Sequence, residues 1–322
     1  MTETILRLDN LTMHYTTRAG EVSAVDNVSF ALTQGESFGL VGESGCGKTS
    51  IAISLLRLLP DNGFFKGGRI LFKDTDLVTL SEEQMRKVRW RNISMVFQAA
   101  MNSLNPVYKV GDQIVEAMNA HLDNLSYEES RERVVELFRL VALDSKLMDQ
   151  YPHEYSGGMR QRAVIAMALS CHPDLIIADE PTTALDVIVQ DNLLREMREL
   201  QQRLGMSMIY ISHDIAVIAE VSERMGVMYA GRMAELASAM EIFHHPIHPY
   251  TAALMTAFPS IVGPKRALTT LPGEPPDLLH PPSGCRFNPR CPYVTETCQA
   301  QVPEFRDHGG GHFAACWHPL EA

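Results

Sequence analysis

Short and nearly continuous apolar runs recur along the chain, and each one leads into a loop. The clearest runs occupy residues 37–42, 93–98, 175–180, 208–213 and 226–231. Apolar stretches of about 4 to 6 residues without polar alternation are typical of strands that helices cover on both faces of a parallel sheet. The pattern therefore predicts an α/β fold.

The hydrophobic period changes to that of helices between the second and third runs. Ser126 and Glu129 have the spacing of a capping box, in which each side chain bonds to the backbone N–H of the other residue and fixes a helix start. Ser81 and Gln84 repeat this spacing shortly before. We interpret residues from about 99 to 165 as a helical subdomain.

The composition shifts near Pro259. Residues 271–284 hold too much proline and glycine for a regular helix or strand. This shift predicts a large domain at residues 1–258 and a small C-terminal domain at residues 259–322.

The overall charge excludes some classes of partner. The formal net charge is -11, and the basic residues are scattered, so we expect no nucleic-acid binding. No apolar run approaches the ~20 residues that a membrane span needs, and the first residues lack the basic and apolar regions of a signal peptide. We therefore expect the chain to remain in the cytosol, where thiols stay reduced.

The stretch GESGCGKT at residues 42–49 is typical of a phosphate-binding loop. It follows one apolar run and precedes a helical pattern, which is the context that this motif requires. Lys48 would contact the β and γ phosphates, and the Thr49 hydroxyl would hold Mg²⁺. The predicted nucleotide contacts from this segment are Gly42, Glu43, Ser44, Gly45, Cys46, Gly47, Lys48, Thr49 and Ser50.

Polar side chains end three of the other apolar runs. Asp179 and Glu180 close the third run, Gln98 closes the second, and His213 closes the fourth. Because ligands bind at the carboxyl ends of parallel strands, Asp179 is predicted to support Mg²⁺ and Glu180 to act as a general base. The structural alternatives are a solvated carboxylate pair that caps a helix and an ordinary structural histidine.

YSGGMRQR at residues 155–162 gives a second candidate for anion binding. A hydroxyl and two glycines before a helical pattern place free backbone N–H groups at a helix start, where negative charge is favoured. One chain therefore contains two candidate binding sites for the same triphosphate.

These motifs, together with TTALD at residues 182–186, resemble in order and spacing the nucleotide-binding subunit of an ATP-binding cassette (ABC) transporter. The resemblance implies a P-loop NTPase fold with a RecA-like core, a helical subdomain and an antiparallel β subdomain. In that family two cassettes pack head to tail, so each ATP lies between the phosphate loop of one and the signature of the other. The signature residues Ser156, Gly157 and Gly158 would then contact the nucleotide that a partner cassette binds. This explains why one chain has two candidate sites for a triphosphate.

The resemblance also implies roles for single residues. Tyr15 would stack on adenine, although packing in the core is its ordinary alternative. Asp186 would belong to a loop that contacts the second cassette across the dimer. Mg²⁺ would be held by Thr49, Gln98 and Asp179, and catalysis would use Lys48, Gln98, Glu180 and His213. The chain departs from the family pattern at Tyr155, Met159 and the pair Ala99 and Ala100.

The C-terminal segment resembles the extension of dipeptide and oligopeptide importers. This implies an ATPase on the cytoplasmic side of the plasma (inner) membrane that powers peptide import. Its implied partners are a second and paralogous ATPase subunit, two transmembrane permease subunits and an external solute-binding protein. Import of nickel or oligosaccharides, and a soluble accessory ATPase outside transport, are the alternatives.

Four of the six cysteines crowd the C-terminal segment, at Cys285, Cys291, Cys298 and Cys316. Four thiolates are the number for one closed metal site, but no CxxC pair is present. Relatives with this pattern carry a 4Fe–4S cluster, which the resemblance makes the first choice. Zinc, with His312 or His318 as a substitute ligand, and free thiols are the alternatives.

Overall fold

The computed structural model describes residues 3–98, 103–182, 186–257 and 271–321. The chain forms two compact units. The helical unit contains Thr33–Ser37 and Leu80–Tyr210, and the phosphate-loop unit contains Glu3–Leu32, Phe38–Thr79 and Ile211–Ala322.

The phosphate-loop unit contains an antiparallel sheet near the start of the chain. Its strands are β1 (Thr4–Thr17), β2 (Gly20–Thr33), β4 (Gly63–Phe72) and β5 (Thr75–Asp76), in the order β2-β1-β4-β5. Strand β1 pairs with β4 in a register that sets Leu6 opposite Phe72 and Tyr15 opposite Gly63. This sheet is the antiparallel subdomain that the resemblance implied.

A second group of strands in the same unit leads to the phosphate loop. It contains β3 (Ser37–Val41), β9 (Arg224–Tyr229), β10 (Arg232–Ser238), β11 (Arg306–Asp307) and β12 (Phe313–Ala314). Strand β3 is parallel to β9, and β9 is antiparallel to β10, which in turn pairs with β12. The helices of this unit are α1 (Lys48–Leu55), α7 (Ile215–Val221), α8 (Ala239–His244), α9 (Pro249–Ala257) and α10 (Glu296–Ala300).

The helical unit contains three neighbouring strands and five helices among its described residues. Its strands are β6 (Ile93–Val96), β7 (Leu175–Asp179) and the first four residues of β8 (Ser207–Ser212), and β6 is parallel to β7. Its helices are α2 (Glu82–Val88), α3 (Val110–His121), α4 (Tyr127–Leu140), α5 (Gly157–Leu169) and α6 (Val187–Leu204). Both predicted capping boxes are confirmed, with Ser81 before α2 and Ser126 before α4.

The five predicted strands are confirmed as β3, β6, β7, β8 and β9. All five are almost entirely buried, which is why polar alternation is absent from their sequences. The predicted boundary after residue 258 lies outside the described residues and stays a prediction.

The C-terminal segment packs on the phosphate-loop unit through an aromatic cluster and a buried ion pair. Phe287 lies against Tyr229 and Tyr250, with ring centroids 5.2 and 5.4 Å away. The His312 ring lies 2.6 Å from the carboxylate of Glu235, which is fully buried in β10. That carboxylate also accepts backbone N–H groups from residues 247 and 248. The segment is therefore an integral part of this unit despite its few regular elements.

Within the described ranges, no helix combines the length and the apolar character that a membrane span requires.

Candidate functional site

The phosphate loop joins β3 to α1, and its backbone requires glycine at two positions. Gly42 and Gly47 have φ angles of 148° and 107°. A Cβ atom at Gly42 would lie 2.2 Å from the Met228 carbonyl oxygen, and one at Gly47 would lie 2.3 Å from the Ala24 carbonyl oxygen. Only glycine lets the chain curl this closely and turn its N–H groups toward an anion.

Lys48 begins α1 with its ammonium group inside the loop. Its Nζ donates to the carbonyl oxygens of Gly42 at 2.7 Å and Glu43 at 3.0 Å, and the residue is only 6% exposed. Ser44 and Thr49 are exposed, whereas Cys46 is buried and burial raises the pKa of its thiol. The loop therefore has a cation and a hydroxyl that could contact a phosphate, while the thiol of Cys46 is buried and its predicted nucleotide contact stays a prediction.

Two distant side chains hold the loop at Glu43. The Glu43 carboxylate accepts two hydrogen bonds from Arg290, at 2.7 and 3.0 Å, and its backbone N–H donates to the Tyr250 hydroxyl at 3.0 Å. Sequence reasoning missed both residues. They lie 247 and 207 positions away in the chain, and no local motif signals such contacts.

Tyr15 and His213 also belong to the phosphate-loop unit. The half-buried Tyr15 is on β1, with its hydroxyl 3.1 Å from Ser50 Oγ in α1. This interaction links Tyr15, which is predicted to stack on adenine, to the helix that follows the phosphate loop. His213 is exposed directly after β8, and the next residue, Asp214, caps α7.

The helical unit brings Gln98 and Glu180 together. Gln98 Nε2 donates to Glu180 Oε2 at 3.0 Å, and Asp179, the last residue of β7, is 1% exposed. Glu180 has a φ angle of 47°, a left-handed conformation that non-glycine residues adopt at a cost and that is common at functional sites. The turn after β7 thus aims Glu180 away from the strand and toward the amide of Gln98.

Ser156 caps the signature helix α5 while remaining exposed. Its Oγ accepts the Met159 N–H at 3.3 Å, and Gly157 and Gly158 form the first turn. The predicted helix start is confirmed, and anion binding at its exposed N-terminus stays a prediction. Asp186 caps α6 in the same way by accepting the Val189 N–H at 3.0 Å.

Two further residues of the signature segment have structural roles. Tyr155 is 3% exposed and its hydroxyl donates to the Leu147 carbonyl oxygen at 2.6 Å. This explains one departure from the family pattern, since the buried phenol has a partner. Gln161 is buried and donates to the Pro181 carbonyl oxygen at 2.6 Å. It links α5 to the turn that carries Glu180, a contact that sequence reasoning missed.

The predicted site residues are divided between the two units. The helical unit contains the signature and Gln98, Asp179, Glu180 and Asp186. The phosphate-loop unit contains the phosphate loop, Tyr15 and His213. Ala99 and Ala100 lie outside the described residues, so the significance of that departure stays a prediction.

The four C-terminal cysteines line one cavity together with His248 and His318. All four cysteines are free thiols. Burial raises the pKa of Cys285 and of Cys291, and it raises the pKa of Cys316 to about 11. Among the described residues, no group of three or more His, Cys, Asp or Glu side chains lies close enough together to hold a metal ion. His312 does not line the cavity, because it pairs with Glu235 instead.

Comparisons with known proteins agree with the geometry of the loop and the signature. The ABC transporter family model matches residues 25–183, and the model of the oligopeptide/dipeptide transporter C-terminal region matches residues 234–298. The dipeptide transport ATP-binding protein DppD of Bacillus subtilis is 45% identical, with 98% of this chain and 95% of the relative covered. The oligopeptide transport ATP-binding protein OppD of Escherichia coli is 42% identical, with coverages of 99% and 94%.

Solved structures give the same family at the level of fold. A dimer of the ATP-binding cassette MJ0796 bound to ADP and Pi matches with a TM-score of 0.65 at 25% identity. The match covers 73% of this chain and 99% of that chain.

Proposed function

The chain belongs to the ABC transporter family of ATP-binding proteins with an oligopeptide/dipeptide transporter C-terminal region, and from this we propose that it powers peptide import by hydrolysing ATP. The observation that carries the proposal is the presence, in one chain, of a formed phosphate loop, an open signature helix and that C-terminal region. The two relatives described above are a dipeptide and an oligopeptide transport protein, so they favour neither nickel nor oligosaccharide import.

The proposed chemistry assigns each step to a residue of this chain. Lys48 and the loop N–H groups bind the β and γ phosphates, and Tyr15 stacks on the adenine. Glu180 accepts a proton from a water molecule while the oxygen of that water attacks the γ-phosphorus. ADP leaves with the electron pair of the broken bond. Gln98 orients Glu180 through their hydrogen bond, and His213 is a further contact to the γ-phosphate.

Thr49, Gln98 and Asp179 are the proposed Mg²⁺ ligands. A hydroxyl, an amide and a carboxylate are the oxygen donors that this ion prefers, so the donor set fits. The ion, when bound, neutralises charge on the phosphates.

The proposed assembly contains a second ABC ATPase subunit that is a paralogue, two permease subunits and an external solute-binding protein. In it, Ser156, Gly157 and Gly158 contact the ATP of the second ATPase, and Asp186 lies at the dimer interface. The assembly places this chain as a peripheral subunit on the cytoplasmic face of the plasma (inner) membrane.

Extraction of the tagged chain from native membranes tests the assembly. We expect a second ABC ATPase and two permease proteins to co-purify, and we expect vesicles containing them to take up a labelled dipeptide when ATP and the solute-binding protein are supplied. Labelled nickel and a labelled oligosaccharide serve as controls. Recovery with soluble proteins alone would instead support the accessory ATPase.

The C-terminal cysteines are proposed to hold a 4Fe–4S cluster, with zinc as the second choice. Four free thiols line one cavity, which fits the donor type and the number that such a cluster needs. The backbone N–H of His318 donates to Cys316 Sγ at 3.4 Å, a contact that would stabilise a thiolate. The proposed role is structural, because this segment has few regular elements.

Anaerobic purification tests this cluster. We expect iron and acid-labile sulfide in the protein, and we expect both to be lost in Cys291→Ser, because three thiolates leave one iron without its ligand. Cys171→Ser, at a buried cysteine outside the cavity, is the matched control. A colourless protein that contains only zinc would contradict the cluster and favour the second choice.

A further inference from the structure

Arg290 is a buried arginine that contacts the phosphate loop from the C-terminal segment. Its side chain is 4% exposed. Its Nη1 and Nη2 atoms donate to the two carboxylate oxygens of Glu43, and Nε donates to the Pro272 carbonyl oxygen at 2.8 Å. Nη1 also lies 3.3 Å from the Tyr229 hydroxyl. The planar guanidinium is therefore fixed on several sides, which makes the pair with Glu43 rigid.

Glu43 transmits this position to Lys48. Its backbone carbonyl accepts a hydrogen bond from Lys48 Nζ, and its N–H donates to Tyr250. The residue whose carbonyl accepts a hydrogen bond from the phosphate-binding ammonium group is thus held by one side chain from α9 and one from the C-terminal segment. A small rotation of Glu43 would move the carbonyl that holds Lys48.

The position of Arg290 depends in turn on the segment that carries the cysteines. Arg290 ends the short 3₁₀ turn Asn288–Arg290, which lies between Cys285 and Cys291. The Asn288 N–H donates to the Cys285 carbonyl oxygen at 2.9 Å, and the Cys291 N–H donates back to Asn288. Cys285 is itself tied to Cys298 by a backbone hydrogen bond of 2.8 Å. The backbone at these cysteines therefore sets where the guanidinium lies.

We propose that Arg290 is a positioning residue of the ATP site, which orders the phosphate loop through Glu43 and makes ATP affinity depend on the backbone around Cys285 and Cys291. The inference rests on the proposed function in so far as the loop binds ATP. It adds a residue outside the nucleotide-binding motifs to the determinants of that binding. The hydrogen bonds to the Glu43 carboxylate also raise the pKa of Arg290, so its guanidinium is charged at every physiological pH.

Nucleotide affinity of the full-length chain tests the pair directly. The variants are Arg290→Met, Glu43→Gln and the double variant, and the probe is a fluorescent ATP analogue in equilibrium titrations. We expect each single variant to bind about tenfold more weakly, a typical effect for residues that couple two sites. We expect the double variant to bind no more weakly than the weaker single variant, because the pair acts as one unit.

His312→Gln is the matched control. Its side chain also ties the C-terminal segment to the unit, through Glu235 and Glu241, but it does not contact Glu43. We expect this variant to lower the melting temperature and to leave nucleotide affinity unchanged. If Arg290→Met does not fold, Glu43→Gln still tests the proposal from the loop side of the pair.

A third comparison tests the link to the cysteines. Cys291→Ser is expected to weaken nucleotide binding in the otherwise unchanged chain and to have little effect in the Arg290→Met background. Cys171→Ser should have no effect in either background.

The outcomes separate the two proposals. Failure of the unaltered chain to bind the analogue would refute the proposed function. Normal binding by folded Arg290→Met and Glu43→Gln, or strictly additive losses in the double variant, would overturn the inference alone.

Discussion

Replacing Glu180 with glutamine is expected to lower ATP turnover by about 10²- to 10⁴-fold, the usual contribution of a general base, while ATP binding is retained. Glutamine has nearly the same shape as glutamate. Its side-chain oxygen can still accept the hydrogen bond from Gln98, which is 3.0 Å long in the structure. The variant therefore keeps the geometry of the turn and loses only the ability to take a proton from water.

The measurement is single-turnover hydrolysis together with size-exclusion chromatography in the presence of Mg²⁺ and ATP. Because hydrolysis would release the proposed closed pair of cassettes, the variant mixed with the second ATPase subunit should accumulate as a closed dimer that contains ATP. Glu136→Gln, at an exposed position of α4, is a control with the same chemical change. Undiminished turnover in Glu180→Gln would remove Glu180 from the role of base.

Replacing Ser156 with aspartate is expected to reduce turnover by about 10²- to 10³-fold, similar to the loss of one donor to a charged transition state. Aspartate is as good a helix cap as serine, and its charge suits a helix N-terminus, so α5 should remain intact. The new carboxylate would, however, lie where the proposed γ-phosphate of the second ATPase is bound. Repulsion between the two negative charges then prevents closure.

Affinity measurements show which nucleotide the signature serves. The isolated Ser156→Asp chain should bind ATP at its own phosphate loop as tightly as before, and Ser156→Thr, which keeps the hydroxyl, should retain most turnover. A second variant, Gly158→Ala, fits within the chain, because its Cβ would lie 3.7 Å from Val189 Cγ1. Weaker ATP binding by the isolated Ser156→Asp chain would contradict the arrangement in which the signature contacts only the nucleotide of a partner.

The parts of the fold that the sequence predicted are those with local causes. The buried strands β3 and β7 are continuous apolar runs, and the Ser126 capping box depends on residues three positions apart. The hydrophobic pattern does not predict strands β1 and β2. Each has 14 residues and mixes buried with exposed positions, so neither a continuous run nor strict alternation marks it.

The candidate site shows the same division between local and distant causes. The motifs predicted Lys48, Ser156 and Glu180 because each lies at the end of a regular element, where backbone geometry follows from the neighbouring residues. Motifs could not predict that Arg290 would contact Glu43, since such a contact depends on how the whole unit packs. The number and crowding of the C-terminal cysteines did predict one shared site, and the four thiols line one cavity.

The long separation between Glu43 and Arg290 has a consequence for protein synthesis. The phosphate loop leaves the ribosome early, but its arginine partner follows 247 residues later. The loop therefore reaches its full set of contacts only after Arg290 has been synthesised. An unfinished chain that lacks Arg290 would present the phosphate loop without this contact to Glu43, and under our proposal it would bind ATP more weakly.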